Sequence, residues 1–455
     1  RLLDRLLHPR FLADGVMRSL EIETLCAPLL RHAEPPAGWA AFRAERAELE
    51  RLDVPVLAGR ADAAGPLRSR SGFDAAVHRL REMNGAGLEL QRRLICSAFV
   101  ERTPPGAAPE PFTPAAALAE AHAIAERLAS LAIERGDGVA WLSVARAADP
   151  RDSGFGYTDL SLERGAAGIA LFLAACARET GRAGHRELAL RAIRPLLARP
   201  EAAGLGGGLI YALTRLGPLL DDEEPLRAAR VLAARVTPAR VRADRAFGVL
   251  DGCAGALLGL LALHRATGEA EPLRHARICG RHLLEHRPWR KALPPGFARG
   301  APGIAHALVQ LHRATGDPEP LRAAADAFAC GDVAADAGWH AGASGVALAL
   351  AASGEMMDGD ALRDALETID RDPLRTPDHL YAGGFGAMVA LLVAGDRHAA
   401  YERAGAAVRR ARRRGHFAVG IDDVYAPGLL EGLAGVGCAL LRLHRPSFPC
   451  VLLWE

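Results

Sequence analysis

The chain has 455 residues, half of them hydrophobic and 24% charged, and its 56 basic and 54 acidic residues leave a net charge of +2. That length and apolar content exclude a disordered chain and allow one large core or two to three domains. So small a charge supplies no field to gather nucleic acid or an anionic membrane, so neither is expected as a partner.

The first residue is Arg rather than Met, which points to a chain whose upstream part is missing. RLLDRLLHPRF lacks the apolar block of a secretory signal, and no apolar run has the length of a membrane span. The eight cysteines, 26, 96, 176, 253, 279, 330, 438 and 450, are dispersed through apolar stretches without a Cys-x-x-Cys pair. Reduced core thiols and a cytoplasmic location follow as expectations. Lys291 is the only lysine. The arginine-heavy basic set, beside abundant Ala, Gly and Pro, reads as coding bias.

In chain order, residues 1 to about 100 show helical patterns at 18–32, 42–54 and 88–99 and form a first domain. ERTPPGAAPEPFTP, residues 101–114, is rich in proline and reads as a linker. From 115 to 455, seven segments repeat a glycine-rich turn followed by an aliphatic run. Examples are RGAAGIALFLAA from Arg164, DGCAGALLGLLALHRATG from Asp251 and RGAPGIAHALVQLHRATG from Arg299. The last glycine of each turn is residue 168, 208, 255, 303, 345, 386 or 435, giving spacings of 40, 47, 48, 42, 41 and 49. Such a period marks a repeat of helical hairpins. In each, an apolar helix lies inside and an amphipathic one, such as EPLRHARICGRHLLEHR (271–287), lies outside.

The predicted fold is therefore all-α, with inner helices starting around one opening toward which their amides and positive dipole ends point. An open solenoid and a closed ring both satisfy the pattern. The ring is preferred because the ending LLRLHRPSFPCVLLWE is too apolar for a solvent-facing cap.

Several clusters have their own readings. Asp221-Asp222-Glu223-Glu224 follows an inner helix and suits helix capping, whereas Asp422-Asp423 precedes the seventh inner helix and could face the opening. Paired carboxylates of that kind do acid–base work or hold metal in other helical toroids. His275, Cys279, His282 and His286 share one helix face, a geometry that could bind a transition metal through His282 and His286. No partner from another segment is identifiable, so a surface stripe with one half-buried thiol is expected. The run Arg409-Arg410-Ala411-Arg412-Arg413-Arg414 reads as the polar end of a surface helix.

The glycine repeats, GFARGAPGI (296–304), PGLLEGLAGVGCALLRL (427–443) and the ending PCVLLWE resemble the cyclase domain of lanthionine synthetases, most closely the fused type 2 enzymes called LanM. RLLHPRFLADGVMRSLEIE and ERAELERLDVPVLAGR resemble the end of the dehydratase domain that precedes that cyclase. The resemblance implies an α/α toroid of seven inner and seven outer helices, a ribosomal precursor peptide as partner and a zinc ion at the mouth of the ring. Zinc would hold a substrate cysteine as thiolate for attack on a dehydrated Ser or Thr, and an acid would protonate the resulting enolate.

Carried over by position, the zinc ligands of the family fall on His340, Tyr381 and Ala382, within Trp339-His340-Ala341-Gly342 and His379-Leu380-Tyr381-Ala382-Gly383. The proton-carrying histidine falls on Arg299, and an expected aspartate falls on Gly248, with Asp251 one helical turn away. Trp339, His340, His379 and Asp251 are the candidate side chains at the ring mouth. One imidazole and a tyrosine are too few ligands for tight zinc binding, so no cofactor is assigned and zinc-dependent cyclisation is not expected. The first domain shows no kinase-like glycine loop for the dehydratase's phosphoryl transfer. The function expected is a lanthionine synthetase-like protein whose cyclase scaffold has lost its zinc site. The alternatives are a non-catalytic peptide- or partner-binding toroid and another α/α-toroid enzyme using carboxylates.

Overall fold

A computed structural model describes residues 51, 72–82, 111–145, 154–291, 293–330, 336–354, 359–372, 377–420 and 426–455. The chain divides into two compact units, residues 1–91 and 92–455. Of the first, the described part is Arg51 and helix α1 (Gly72–Glu82). The helical patterns assigned at 18–32 and 88–99, most of 42–54, most of the linker and the Asp422-Asp423 pair lie outside the described residues.

The second unit opens with α2 (Pro114–Ser130), which Thr113 caps by accepting the amide of Ala116 at 3.2 Å, with Pro114 preset for the first turn. Two antiparallel hairpins follow that sequence periodicity did not reveal: β1 (Ile133–Arg135) with β2 (Gly138–Ala140), and β3 (Leu142–Ala145) with β4 (Gly154–Tyr157). They are short, and the other elements among the unit's described residues are helices.

The helical hairpins then run α3 (Ala166–Thr180) and α4 (Ala183–Ala198); α5 (Gly207–Leu220) and α6 (Glu224–Ala234), with the short α7 (Pro238–Ala243); and α8 (Cys253–Thr267) and α9 (Ala270–His286). They continue with α10 (Ala301–Thr315) and α11 (Pro318–Ala329), α12 (Ala343–Ser353) and α13 (Gly359–Arg371), and α14 (Gly384–Val393) and α15 (Arg397–Arg414), and α16 (Leu433–His444) ends the series. In α3, the twelve residues from Ala166 to Cys176 and Ala177 are all buried, as an inner helix surrounded by neighbours requires. Left-handed Gly181, Gly268 and Gly316 end α3, α8 and α10.

The inner helices α3, α5, α8, α10, α12, α14 and α16 each pack on the next, and α16 packs back on α3. The ring is closed. Its outer helices α4, α6, α9, α11, α13 and α15 each pack on the inner helix before them, while α16 receives its outer partner, α2, from the start of the unit. Arg412 of α15 pairs with Glu120 of α2, and Arg410 pairs with the buried Asp378, so part of the arginine run is consumed in structural ion pairs.

The ring is filled rather than hollow. Trp454 is 2% exposed and stacks on Tyr211 with centroids 5.7 Å apart, and the Leu453 carbonyl accepts from His306 Nε2 at 3.2 Å. The apolar C-terminus thus lies inside the ring. Among the described cysteines, 176, 253, 279, 438 and 450 are buried and free, while Cys330 is exposed. No described helix is long and apolar enough to cross a membrane.

Candidate functional site

The mouth is built from one turn repeated. A Cβ added at Gly168, Gly255, Gly303, Gly345, Gly386 or Gly435 would overlap the carbonyl oxygen of the residue six positions earlier, respectively Leu162, Val249, Phe297, Trp339, Leu380 and Leu429. The glycine lets each turn fold tightly over its own helix start. The next residue of each turn joins its neighbour through the backbone. Leu250 N donates to Ala298 O, Ala298 N to His340 O, His340 N to Tyr381 O, Tyr381 N to Leu430 O and Leu430 N to Glu163 O, at 2.8–3.2 Å. A belt of amides therefore links repeats three, four, five, six, seven and one.

The second repeat breaks the pattern. Its turn, Gly204-Leu205-Gly206-Gly207-Gly208, has a left-handed Gly206 where the other repeats have an extended N-cap glycine. Gly208 faces Glu163 Oε1 instead of a carbonyl of its own turn. A cavity of about 500 Å³ opens there, bordered by Asp159, Glu163, Glu201, Asp251 and the Gly204–Gly208 turn. Burial raises the pKa of Glu163, and nearby Asp159 adds to the rise against the opposing effect of its own backbone amide and Arg164. No sequence motif marked Glu163; the five-residue stretch GLGGG was the visible signal that this turn differs.

The predicted mouth residues fall on and around the belt. His340 and Tyr381 are adjacent belt positions whose rings stack at 4.1 Å, with His340 Nδ1 3.3 Å from the Tyr381 carbonyl. Ala382 offers only a methyl group, and its amide donates to Nδ1 of the buried His379 at 3.3 Å. His379 thus holds its own turn. Trp339 is fully buried beneath the belt, 5.4 Å from Phe297, rather than lining the mouth. Arg299 Nε donates to Asp251 Oδ2 at 2.7 Å, bridging repeats four and three. A Cβ at Gly248 would lie 3.0 Å from Arg299 Cα and from Asp251 Oδ1, so an aspartate there would crowd this pair.

The residues at these positions do not fit a zinc ion. They present one imidazole, already stacked and beside a carbonyl, and Ala382 has no ligand atom. Among the described residues, two groups of three potential ligands converge, and both lie elsewhere: His122, Glu126 and His185; and Asp244, Cys253 and His282.

The second group revises the reading of the α9 stripe. His275, Cys279 and His282 are buried and only His286 is exposed, so the face points into the protein rather than to solvent. Asp244 and Cys253 supply the neighbours that sequence could not identify. Asp244, however, spends its carboxylate on the amides of Ala246, Phe247 and Cys253 at 2.9–3.2 Å, and its carbonyl lies 3.2 Å from His282 Nε2. That cluster caps the start of α8. Asp222 likewise caps, accepting the Glu224 amide at 2.8 Å.

Residues 156–331 match the family described as lanthionine synthetase C-like protein. No curated protein matches the chain. Among solved structures, the GH76A alpha-1,6-mannanase from Salegentibacter sp. HEL1_6 is similar over 73% of this chain and 100% of its own, at 10% identity and a TM-score of 0.41. The unsaturated glucuronyl hydrolase from Bacillus sp. GL1 is similar over 73% of this chain and 97% of its own, at 17% identity and a TM-score of 0.40.

Proposed function

We propose that this chain, with its lanthionine synthetase C-like segment at 156–331, is a cyclase-type ring that holds a ribosomal precursor peptide at its mouth without zinc-dependent thioether formation. The observation that carries the reading is the mutual engagement of the substituted positions: His340 lies flat on Tyr381, and Arg299 is committed to Asp251. Activating a cysteine at neutral pH needs a metal or a base to hold its thiolate, since a free thiol titrates near pH ~8.5. Three protein ligands with one open position supply that function in zinc enzymes. Here a single imidazole remains, and an arginine in place of a histidine neither gives nor takes a proton.

What the mouth retains is recognition chemistry. Inner-helix N-termini point their partial positive charge at the opening, while the acidic cavity at the second repeat suits a basic or amino group of a peptide.

The test is to incubate the chain with a dehydrated, cysteine-containing peptide and count free thiols over time. Thiols are expected to fall no faster than in buffer, while a labelled precursor peptide is retained. Enzyme-dependent thioether formation would overturn the reading, as would one zinc per chain that disappears in His340→Ala.

A second reading rests on Glu163, whose carboxyl is held toward its neutral form by burial beside Asp159 in the same cavity. Two neighbouring carboxyl groups in different surroundings are the kind of pair used in glycoside hydrolysis. It predicts a turnover, found by screening glycosides, that Glu163→Gln abolishes. Absence of turnover across such a screen removes it.

A further inference from the structure

His122 and Glu126 stand one turn apart on α2, and His185 lies near the start of α4. Glu126 Oε1 is 3.2 Å from His122 Nε2 and 3.1 Å from His185 Nε2. Both imidazoles therefore converge on one carboxylate, and the candidate ligand atoms all lie within 4.8 Å of one another. A hydrogen-bonded trio would use this proximity differently. His122 Nε2 is buried and makes no hydrogen bond despite the short approach, whereas His185 meets the carboxylate through Nε2 and its bare Nδ1 belongs to the other side of the ring. A buried ring nitrogen beside a carboxylate, with poor geometry for donating to it, has its lone pair free for a cation.

We propose that His122, Glu126 and His185 bind a zinc ion that fastens α2 to α4. Donors held ~2.0–2.1 Å from a tetrahedral ion lie about 3.3 Å apart, close to the two spacings observed. Two imidazoles and one carboxylate form a borderline nitrogen and oxygen set that suits zinc and accepts cobalt or nickel. His185 is 4% exposed, so its ring is held in place by the packing around it. The Glu126 side chain is 58% exposed, so the ion has a route in and a fourth position for water. The placement gives the ion a structural task. α2 is the helix that completes the ring against α16, and α4 belongs to the first hairpin, so the metal would lock the closure.

The experiment uses the full 455-residue chain, stripped with a chelator and titrated with zinc, then with cobalt as a spectroscopic probe. One ion per chain is expected, with visible bands of four-coordinate cobalt and a rise in Tm on adding zinc. His122→Ala and Glu126→Gln change exposed or half-exposed side chains and should leave the metal-free fold intact by circular dichroism. Each should weaken binding by more than the roughly 10- to 100-fold that loss of an outer partner costs. His282→Ala and His340→Ala should bind as the parent does. Failure of the parent chain to bind zinc, or binding unchanged in both His122→Ala and Glu126→Gln, overturns the proposal. An ion lost only in His340→Ala would overturn it too, and separately the reading of the mouth.

Discussion

His306 lies at the middle of the ring with no exposed surface, and burial holds its pKa down at about 4. Its neutral ring donates Nε2–H to Leu453 O and leaves Nδ1 bare and unpartnered. In the unfolded chain this histidine takes a proton near pH ~6.5. Between about pH 6.5 and 4 the unfolded state therefore binds a proton that the folded state refuses, and stability falls as pH falls. The loss from this one residue levels off at about 3.4 kcal/mol below pH ~4, at ~1.36 kcal/mol for each pH step between the two values. Urea denaturation at pH 7.5, 6 and 4.5 should show the decline, and His306→Gln should flatten it relative to the parent. At this scale, His340, Tyr381, Ala382 and Arg299 could be named from the sequence because motifs of the family it resembles carry over onto them by position. His122 with His185, and Glu163 in its cavity, could not. Their partners are brought together by packing between segments, for which one sequence has no signal.

Among the elements, the inner-helix start is the unit that repeats, and its closest tolerance is the glycine pressed against the carbonyl six residues back. In Gly255→Ala the new methyl would overlap the Val249 oxygen and approach Trp454 at 3.2 Å. Overpacking of this kind costs about 1–3 kcal/mol, more than the ~1 kcal/mol that alanine gains over glycine in a helix. Gly384, at the first position of α14, has open space around it, so Gly384→Ala is expected to be neutral or stabilising by up to ~1 kcal/mol. Midpoints of chemical denaturation for the two variants should move in opposite directions or leave only the first displaced; equal losses would refute the account of the turn. All seven inner helices were readable from these turns. The two hairpins before α3 were too short to show a period of two. That α2 partners α16 could not be read either, since nothing local in an amphipathic helix names its distant mate.

For the molecule as a whole, the decisive property is closure. In an open solenoid a terminal segment touches only its neighbour, and trimming it removes one interface. In this ring the last residues enter the shared interior: Cys450, Leu452, Leu453 and Trp454 are each at most 2% exposed, and Cys450 N donates to Glu455 Oε2 at 3.1 Å. The same interior receives Tyr211 from the second repeat and His306 from the fourth, so one tail couples helices far apart in sequence. Trp454→Ala should therefore cost about 3–5 kcal/mol, the range for emptying a large aromatic site in a core. Removing residues 450–455 should cost a large share of the ~5–15 kcal/mol typical of a folded domain. The check is a guanidinium titration of both variants followed by far-ultraviolet circular dichroism and by tryptophan fluorescence. Trp454→Ala should lower the midpoint of the ring's own transition with an unchanged slope, because a closed ring unfolds as one body. A loss below ~1 kcal/mol, or a transition that splits while most of the helix signal persists, would mean that the tail caps one end and that the ring is not held from within.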